Sequence, residues 1–335
     1  MAFSELARFQ PGLLIDCTDY NMGTENCRWS YLTESCDQAN EIEDLERIFV
    51  NASAEPTRIA YAVIRSITKN FVELIGRGGF GEVYMGALQS GMVAVKKPLQ
   101  SQEISDKQFL DEVNCLIRVK HQNIVRFLGY CADTQGELME IDGKYRIVEV
   151  PQRIFCFEYA PNGNLHHYLK EKSRGYNWNT HYRIVKGICQ GLQYLHQKRI
   201  IHLDLKPENV LLGPNMEAKI TDFGLSRCFD EEQSRILTKN FGGTFGYIAP
   251  EIIENGEISF KADIFSLGII MKDLLTVSND NITENVRITY LLHITVYSLS
   301  FFKEGGVGGG GLCLCRKYYV HDNLTLIAGS NTHEP

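Results

Sequence analysis

The sequence predicts an α+β protein, and three observations carry that expectation. Short β-favouring runs lie in the first half: Glu82-Val83-Tyr84, Val93-Ala94-Val95-Lys96 and Ile154 to Phe157. Helical periodicity dominates the second half, in Trp178 to His196 and again in Asp263 to Leu275. A single helical pattern, Ser105 to Val119, sits among the strand runs, with Phe109, Val113 and Ile117 recurring every four residues.

The bulk composition narrows the classes of function. The 335 residues are 44% hydrophobic and 22% charged, ordinary for a soluble globular chain. A net charge of −7 argues against a general nucleic-acid binder or an anionic-membrane binder. Ten cysteines are scattered, mostly singly, which suits a reducing compartment and not a disulfide framework. Cys17, Cys27 and Cys36 lack a matching His set, and Cys313 and Cys315 form only a lone C-x-C, weak evidence for a metal. No secretory apolar core opens the chain, and Ala2 gives no myristoylation signal. The stretch 288–302 is apolar but shorter than the roughly 20 residues of a membrane span. A cytoplasmic location is therefore expected, and the N-x-S/T patterns at Asn51, Asn281 and Asn323 are expected to be chance matches.

Taken in order, residues 1–60 read as a polar, solvated extension, with a short acidic helix over Glu41 to Val50 that aligns Ile42, Leu45 and Phe49. Tyr61 to Phe71 has apolar residues at helical or strand spacing. Gly76, Gly78 and Gly81 then form G-x-G-x-x-G. Glycines there let a backbone approach phosphates with no Cβ in the way. Dinucleotide-binding folds use the same pattern, but theirs opens a helix, whereas Glu82-Val83-Tyr84 continues as strand. Lys96 ends the next strand run. Glu112 borders the apolar face of the following helix, with Asp111 as the alternative acid further round. Residues 132–152 form a polar excursion, a loop or hairpin between two strands. Ile154 to Phe157 is a buried run, and Asn162-Gly163 marks a turn. Ile184, Ile188, Leu192 and Leu195 share one face of the long helix that follows.

The chemistry concentrates between Ile201 and Leu212. Asp204, Lys206 and Asn209 fall within one short stretch, followed by an apolar run. Phosphoryl transfer from ATP needs such groups together: a carboxylate to orient a hydroxyl, an ammonium to meet the transferred group and an amide oxygen to hold a metal ion. A polar turn before a buried strand would also account for the stretch. Ten residues on, however, comes Asp222-Phe223-Gly224.

These motifs, in this order, resemble the eukaryotic protein kinases over residues 61–277. Phe109-x-x-Glu112-Val113, Pro161-Asn162-Gly163-Asn164-Leu165 and Gly246-Tyr247-Ile248-Ala249-Pro250-Glu251 look most like plant receptor-like kinases, and in kind like their cytoplasmic members. The resemblance implies a bilobal kinase fold, with an antiparallel-sheet lobe over 61–157, a hinge at 158–160 and a mainly helical lobe over 161–277. It implies Asp204 and Lys206 as catalytic residues, and Asn209 and Asp222 as ligands of Mg2+. ATP would meet Ile75, Gly76, Gly78, Gly81, Val83, Ala94, Lys96, Glu112, Glu158, Ala160 and Leu211, with Phe157 restricting the pocket behind. Thr244 would bond Asp204 and Lys206, and Thr238 and Thr244 are candidate phosphosites. The Asp-x-Lys arrangement resembles serine/threonine kinases. The implied partners are a protein substrate and a membrane receptor complex.

Two departures stand out. Leu203 precedes Asp204 where many kinases have Arg. Beyond about residue 277 the resemblance stops and the chain runs into a glycine-rich tail, 278–335, with linker composition. The helix from Asp263 to Leu275 is apolar nearly all round and calls for neighbours on every side. The expectation is thus a kinase lacking its last helices and only marginally stable. The alternative is a pseudokinase or decoy that binds without transfer.

Overall fold

A computed structural model describes residues 38–79, 81–99, 105–171, 178–230, 233–238 and 241–277. The apolar stretch 288–302, the glycine-rich tail, the cysteines near either end and the patterns at Asn281 and Asn323 lie outside the described residues.

Six strands form the sheet of the first lobe: β1 (Thr57–Arg58), β2 (Leu74–Gly78), β3 (Gly81–Ala87), β4 (Met92–Lys97), β5 (Phe127–Ile141) and β6 (Lys144–Glu158), in the order β1-β5-β6-β4-β3-β2. All neighbours are antiparallel except β1 with β5, so the sheet is mixed, where a purely antiparallel one was expected. Gly129 makes that extra pairing possible, since a Cβ there would lie 2.3 Å from the Thr57 carbonyl oxygen. The excursion 132–152 is the outer half of the β5–β6 hairpin, turned at Asp142-Gly143.

Side chains alternate across this sheet, as the strand period of two requires. Ile154 and Cys156 face one side, with Val93 and Val95, while Phe155 and Phe157 face the other. The first side is covered by α1 (residues 38–50) and α2 (Tyr61–Ile67), through Leu45, Ile48, Val63, Ile64 and Ile67. The reading of residues 1–60 as solvated therefore does not hold for 38–60, where Leu45, Ile48 and Ile59 are buried in this core. The expected helix is present with its apolar side of Ile42, Leu45 and Phe49, joined by Ile48, but that side is docked and not solvated. Backbone groups complete the docking. Arg126 donates to the carbonyl oxygens of Ile48, Phe49 (2.9 Å) and Asn51 (2.6 Å), which gives the last carbonyls of α1 a cationic cap. Glu41 accepts from the Ala60 N–H at 3.1 Å.

Against the other side lies α3 (Asp106–Ile117). It starts at Ser105, whose hydroxyl accepts from the Gln108 N–H while the Gln108 side chain accepts from the Ser105 N–H. Phe109, Val113 and Leu116 are buried, but Ile117 is 40% exposed, which corrects the expected face. Steps of four overrun the 3.6-residue turn by about 40° each, so the stripe returns through 116 and not 117.

The second lobe is mainly helical: α4 (Leu165–Lys170), α5 (Trp178–Gln197), α6 (Pro250–Asn255) and α7 (Lys261–Val277). Ile184, Ile188, Leu192 and Leu195 of α5 are fully buried, as their spacing predicted. On α7, Leu267, Ile270, Met271 and Leu274 enter the same core, whereas Ile264, Phe265 and Ile269 are half-buried. Short strand pairs, β7 (Ile200–Ile201) with β10 (Arg227–Cys228), β8 (Val210–Leu212) with β9 (Ala218–Ile220) and β11 (Arg235–Leu237) with β12 (Glu257–Ser259), hold the loops of the second lobe. One apolar core runs from Phe109 and Phe155 in the first lobe to Leu192 and Leu274 in the second.

Candidate active site

The site lies where β4, α3, the loop 202–209 and the turn after β9 converge. Lys96, on β4, donates from Nζ to Asp222 Oδ1 at 2.8 Å and to Glu112 Oε1 at 3.3 Å. Glu112 is buried and Asp111 exposed, so the structure selects Glu112 as the acid that meets Lys96. Burial works against the Lys96 charge, but Asp222 and Glu112 outweigh it and raise its pKa well above the usual lysine value. Burial likewise pushes Asp222 up, and the Lys96 charge and hydrogen bond, aided by His202 and Lys206, bring it below the usual carboxylate range. Lys96 is thus an ammonium held between two carboxylates, with the Phe155 ring 5.7 Å from its nitrogen.

A second cluster surrounds Asp204, which is almost fully buried. Lys206 Nζ donates to its Oδ2 at 2.8 Å, and the Thr244 hydroxyl donates to its Oδ1 at 2.7 Å. Lys206 also donates to Thr244 Oγ1 at 2.7 Å, closing a three-membered network. Asn209, in a short 3₁₀ turn begun by Pro207, donates from Nδ2 to the Asp204 carbonyl at 2.8 Å and to Oδ2 at 3.0 Å. The sequence-based expectation for Thr244 is met. Its hydroxyl accepts from Lys206 and donates to Asp204 in the structure.

Asn209 and Asp222 are oxygen donors of the kind a hard cation takes. The Asn209 amide nitrogen is spent on Asp204, so the amide oxygen is the atom left for an ion. No cluster of three or more His, Cys, Asp or Glu forms among the described residues. A two-residue oxygen set fits magnesium, which keeps much of its shell for phosphate and water.

The loop carrying Asp204 has an anchor that the sequence reading passed over. Asp263, in the first turn of α7, is fully buried. It accepts from the His202 N–H (2.9 Å), the Leu203 N–H (2.9 Å) and His196 Nε2 (2.8 Å). Burial raises its pKa, but the bond and charge of His196, then His202, hold it below the ordinary 3.8. Leu203 has φ 67° and Asp222 φ 69°, a left-handed backbone that costs a bulky residue about 1–3 kcal/mol and persists only when its surroundings enforce it. Asp263 enforces it at Leu203. The signal in the sequence was an acid at the head of a helix that is otherwise apolar nearly all round.

The remaining candidates lie on β2, β3, β4, β6 and β8 and just after β6. Gly76, Gly78 and Gly81 form the β2–β3 hairpin, and Gly81 has φ 153°, with space so tight that a Cβ would meet the Lys97 carbonyl oxygen at 2.6 Å. Val83 pairs with Lys96 across β3 and β4, and Ile75 sits beside it on β2. Ala94 on β4 and Leu211 on β8 both pack on the inter-lobe core. Phe157 is buried against Phe127 and Phe155 behind them. Glu158 closes β6, and its side chain accepts from the Arg126 N–H (2.9 Å) and Lys219 Nζ (2.8 Å), while Ala160 follows, buried.

The protein kinase domain family model matches residues 70–294, about two-thirds of the chain. The chain belongs to the protein kinase family. Among curated relatives, Cysteine-rich receptor-like protein kinase 25 of Arabidopsis thaliana is 34% identical over 276 residues, covering 80% of this chain and 36% of the relative. Cysteine-rich receptor-like protein kinase 10 of the same plant is 35% identical over 272 residues, covering 79% and 37%. The kinase chain thus spans about a third of the length of these relatives. Its lobed α+β architecture is the one that the sequence predicts. No described helix of the kinase is long and apolar enough to cross a membrane.

Proposed function

We propose that this chain transfers the terminal phosphoryl group of Mg-ATP to a serine or threonine hydroxyl of a protein substrate. The observation that carries this reading is the Asp204 carboxylate, buried and held at 2.7–3.0 Å by Lys206, Thr244 and Asn209. A carboxylate fixed in this way orients the substrate hydroxyl and accepts its proton as the new bond forms. Lys206 offsets the charge of the transferred group, and Lys96, positioned by Glu112, meets the α- and β-phosphates. Gly76, Gly78 and Gly81 let the backbone close over the phosphates. Ile75, Val83 and Ala94 cover adenine from one side and Leu211 from the other, with the main chain of Glu158 and Ala160 along its edge. Asn209 and Asp222 would hold magnesium, which neutralises phosphate charge when bound. The five cysteines among the described residues form no disulfide, which suits a reducing compartment, and we place the kinase in the cytoplasm. The relatives are named receptor-like, and on that footing we place the chain in signalling beside a membrane receptor complex.

The test measures melting of the purified chain with and without Mg-ATP, together with phosphate transfer to itself and to a generic protein acceptor. Wild type should melt higher with nucleotide. Lys96→Met should lose that shift, and Asp204→Asn should keep it while losing transfer. Absence of any shift in the folded wild-type chain refutes nucleotide binding. A shift with no transfer would leave a binding module that only resembles its active relatives.

A further inference from the structure

Two thiols with no part in phosphoryl transfer meet beside the site. Cys115 lies on α3, three residues after Glu112, and is buried. Cys228 lies on β10, six residues after Asp222, and is exposed. Their sulfurs are 2.7 Å apart. Closure to a disulfide at about 2.05 Å needs less than about 1 Å of travel.

The surroundings make the pair asymmetric. The Cys115 thiol bonds to the Cys228 sulfur, burial opposes, and the Arg118 guanidinium attracts and bonds it. Cys228 is thereby drawn down to about 7, against the contrary charge of Asp111. The same bond, with burial, drives Cys115 far above the usual thiol range. Cys131 and Cys156 are both buried, and burial pushes each up to about 12. An exposed thiolate beside a cation and next to a second thiol is the arrangement of a redox-sensing cysteine with its resolving partner.

We propose that Cys115 and Cys228 are a peroxide-reactive modification site that closes to an intramolecular disulfide, fastening the helix that bears Glu112 to the segment that follows Asp222. The Cys228 thiolate attacks one oxygen of hydrogen peroxide, an S–O bond forms and the O–O bond breaks. The departing hydroxide takes the Cys115 proton and becomes water. The Cys115 sulfur then displaces the sulfenic oxygen, which leaves as the second water with the proton that Cys228 had given up. Two thiols lose two electrons in total and the peroxide gains them. A small thiol of the glutathione class reverses the bond by exchange. Lys96 bonds both Glu112 and Asp222, so the disulfide ties together the elements that carry its two partners and restrains their separation.

The full 335-residue chain, reduced beforehand, is treated with hydrogen peroxide, alkylated and digested without reductant for mass spectrometry. The Cys115–Cys228 linked peptide should appear first, at about tenfold or more the yield of any other pair, and vanish with added thiol. In the untreated chain at neutral pH, Cys228 should alkylate about tenfold or more faster than Cys131 and Cys156. Cys115→Ser should abolish the link and leave Cys228 trapped as sulfenic acid by a dimedone probe, and Cys228→Ser should abolish both. The two wild-type measurements decide the matter if a variant folds poorly. No linked peptide in the oxidised wild-type chain, or Cys228 labelling no faster than Cys131, overturns the proposal. A chain that forms the disulfide but transfers no phosphate keeps this inference and loses the kinase reading.

Discussion

Replacing Asp263 with alanine removes the acceptor of three hydrogen bonds at once: from the N–H groups of His202 and Leu203 and from His196 Nε2, at 2.8–2.9 Å. Each is a bond to a charged acceptor, and such bonds contribute about 1.5–3 kcal/mol. They share one carboxylate, so the sum overstates the loss. The better guide is the roughly 3–5 kcal/mol lost when one member of a buried charged set is removed. That is a large part of the total stability of about 5–15 kcal/mol typical of a domain. At about 2–4 °C per kcal/mol for a domain of this size, the melting point should fall by roughly 6–20 °C. The left-handed backbone at Leu203 would lose its restraint as well, so phosphate transfer should fall even at temperatures where the variant stays folded. Asp263→Asn, which keeps one acceptor oxygen, should lie between wild type and Asp263→Ala. Differential scanning calorimetry of the reduced chain supplies the measurement. An alanine variant that melts within about 2 °C of wild type would refute the assignment of Asp263 as the anchor of the catalytic loop.

Thr244→Val deletes the hydroxyl that bridges Asp204 and Lys206. It should lower kcat about tenfold or more with KM for ATP little changed, because Thr244 touches Asp204, the proposed proton acceptor, and not the proposed nucleotide site; a KM rise with constant kcat would count against this. Leu203 packs with the cluster around Ile248 and Ile252 and has no charge to clamp a phosphate, so Thr238→Ala should keep activity within about twofold. A large loss restored by Thr238→Glu would contradict it. Acid should act through Asp222 and Asp263, both held below their ordinary 3.8 in the fold. A depressed folded value means that these carboxylates stabilise above the unfolded value and cease to do so as pH falls through the folded one. The melting point should therefore hold near neutrality and drop below about pH 4, with a shallower acid limb in Asp263→Asn; equal limbs in the two proteins would remove Asp263 from the account.

Much of this protein is legible in its sequence because much of its chemistry is local. Asp204, Lys206 and Asn209 lie within six residues, so one turn of chain brings them together whatever surrounds it. The glycines of the β2–β3 hairpin and the β-favouring runs of β4 and β6 are equally local, and the four-residue spacing along α5 marks its buried face without reference to any neighbour. What the tertiary structure decided are pairings between distant segments. The choice of Glu112 over Asp111 depended on which side of α3 meets Lys96. Leu116 displaced Ile117 because a packed helix follows its true turn. The docking of α1 through Ile42, Leu45, Ile48 and Phe49, with the cap from Arg126, depended on a partner sheet that the helical pattern alone does not name. Asp263 lies some 60 residues from the amides it holds, and Cys115 over 100 residues from Cys228. Sequence spacing carries no information about such contacts, because each exists only once the chain has packed on a common core and brought the backbones that bear it within a few ångströms.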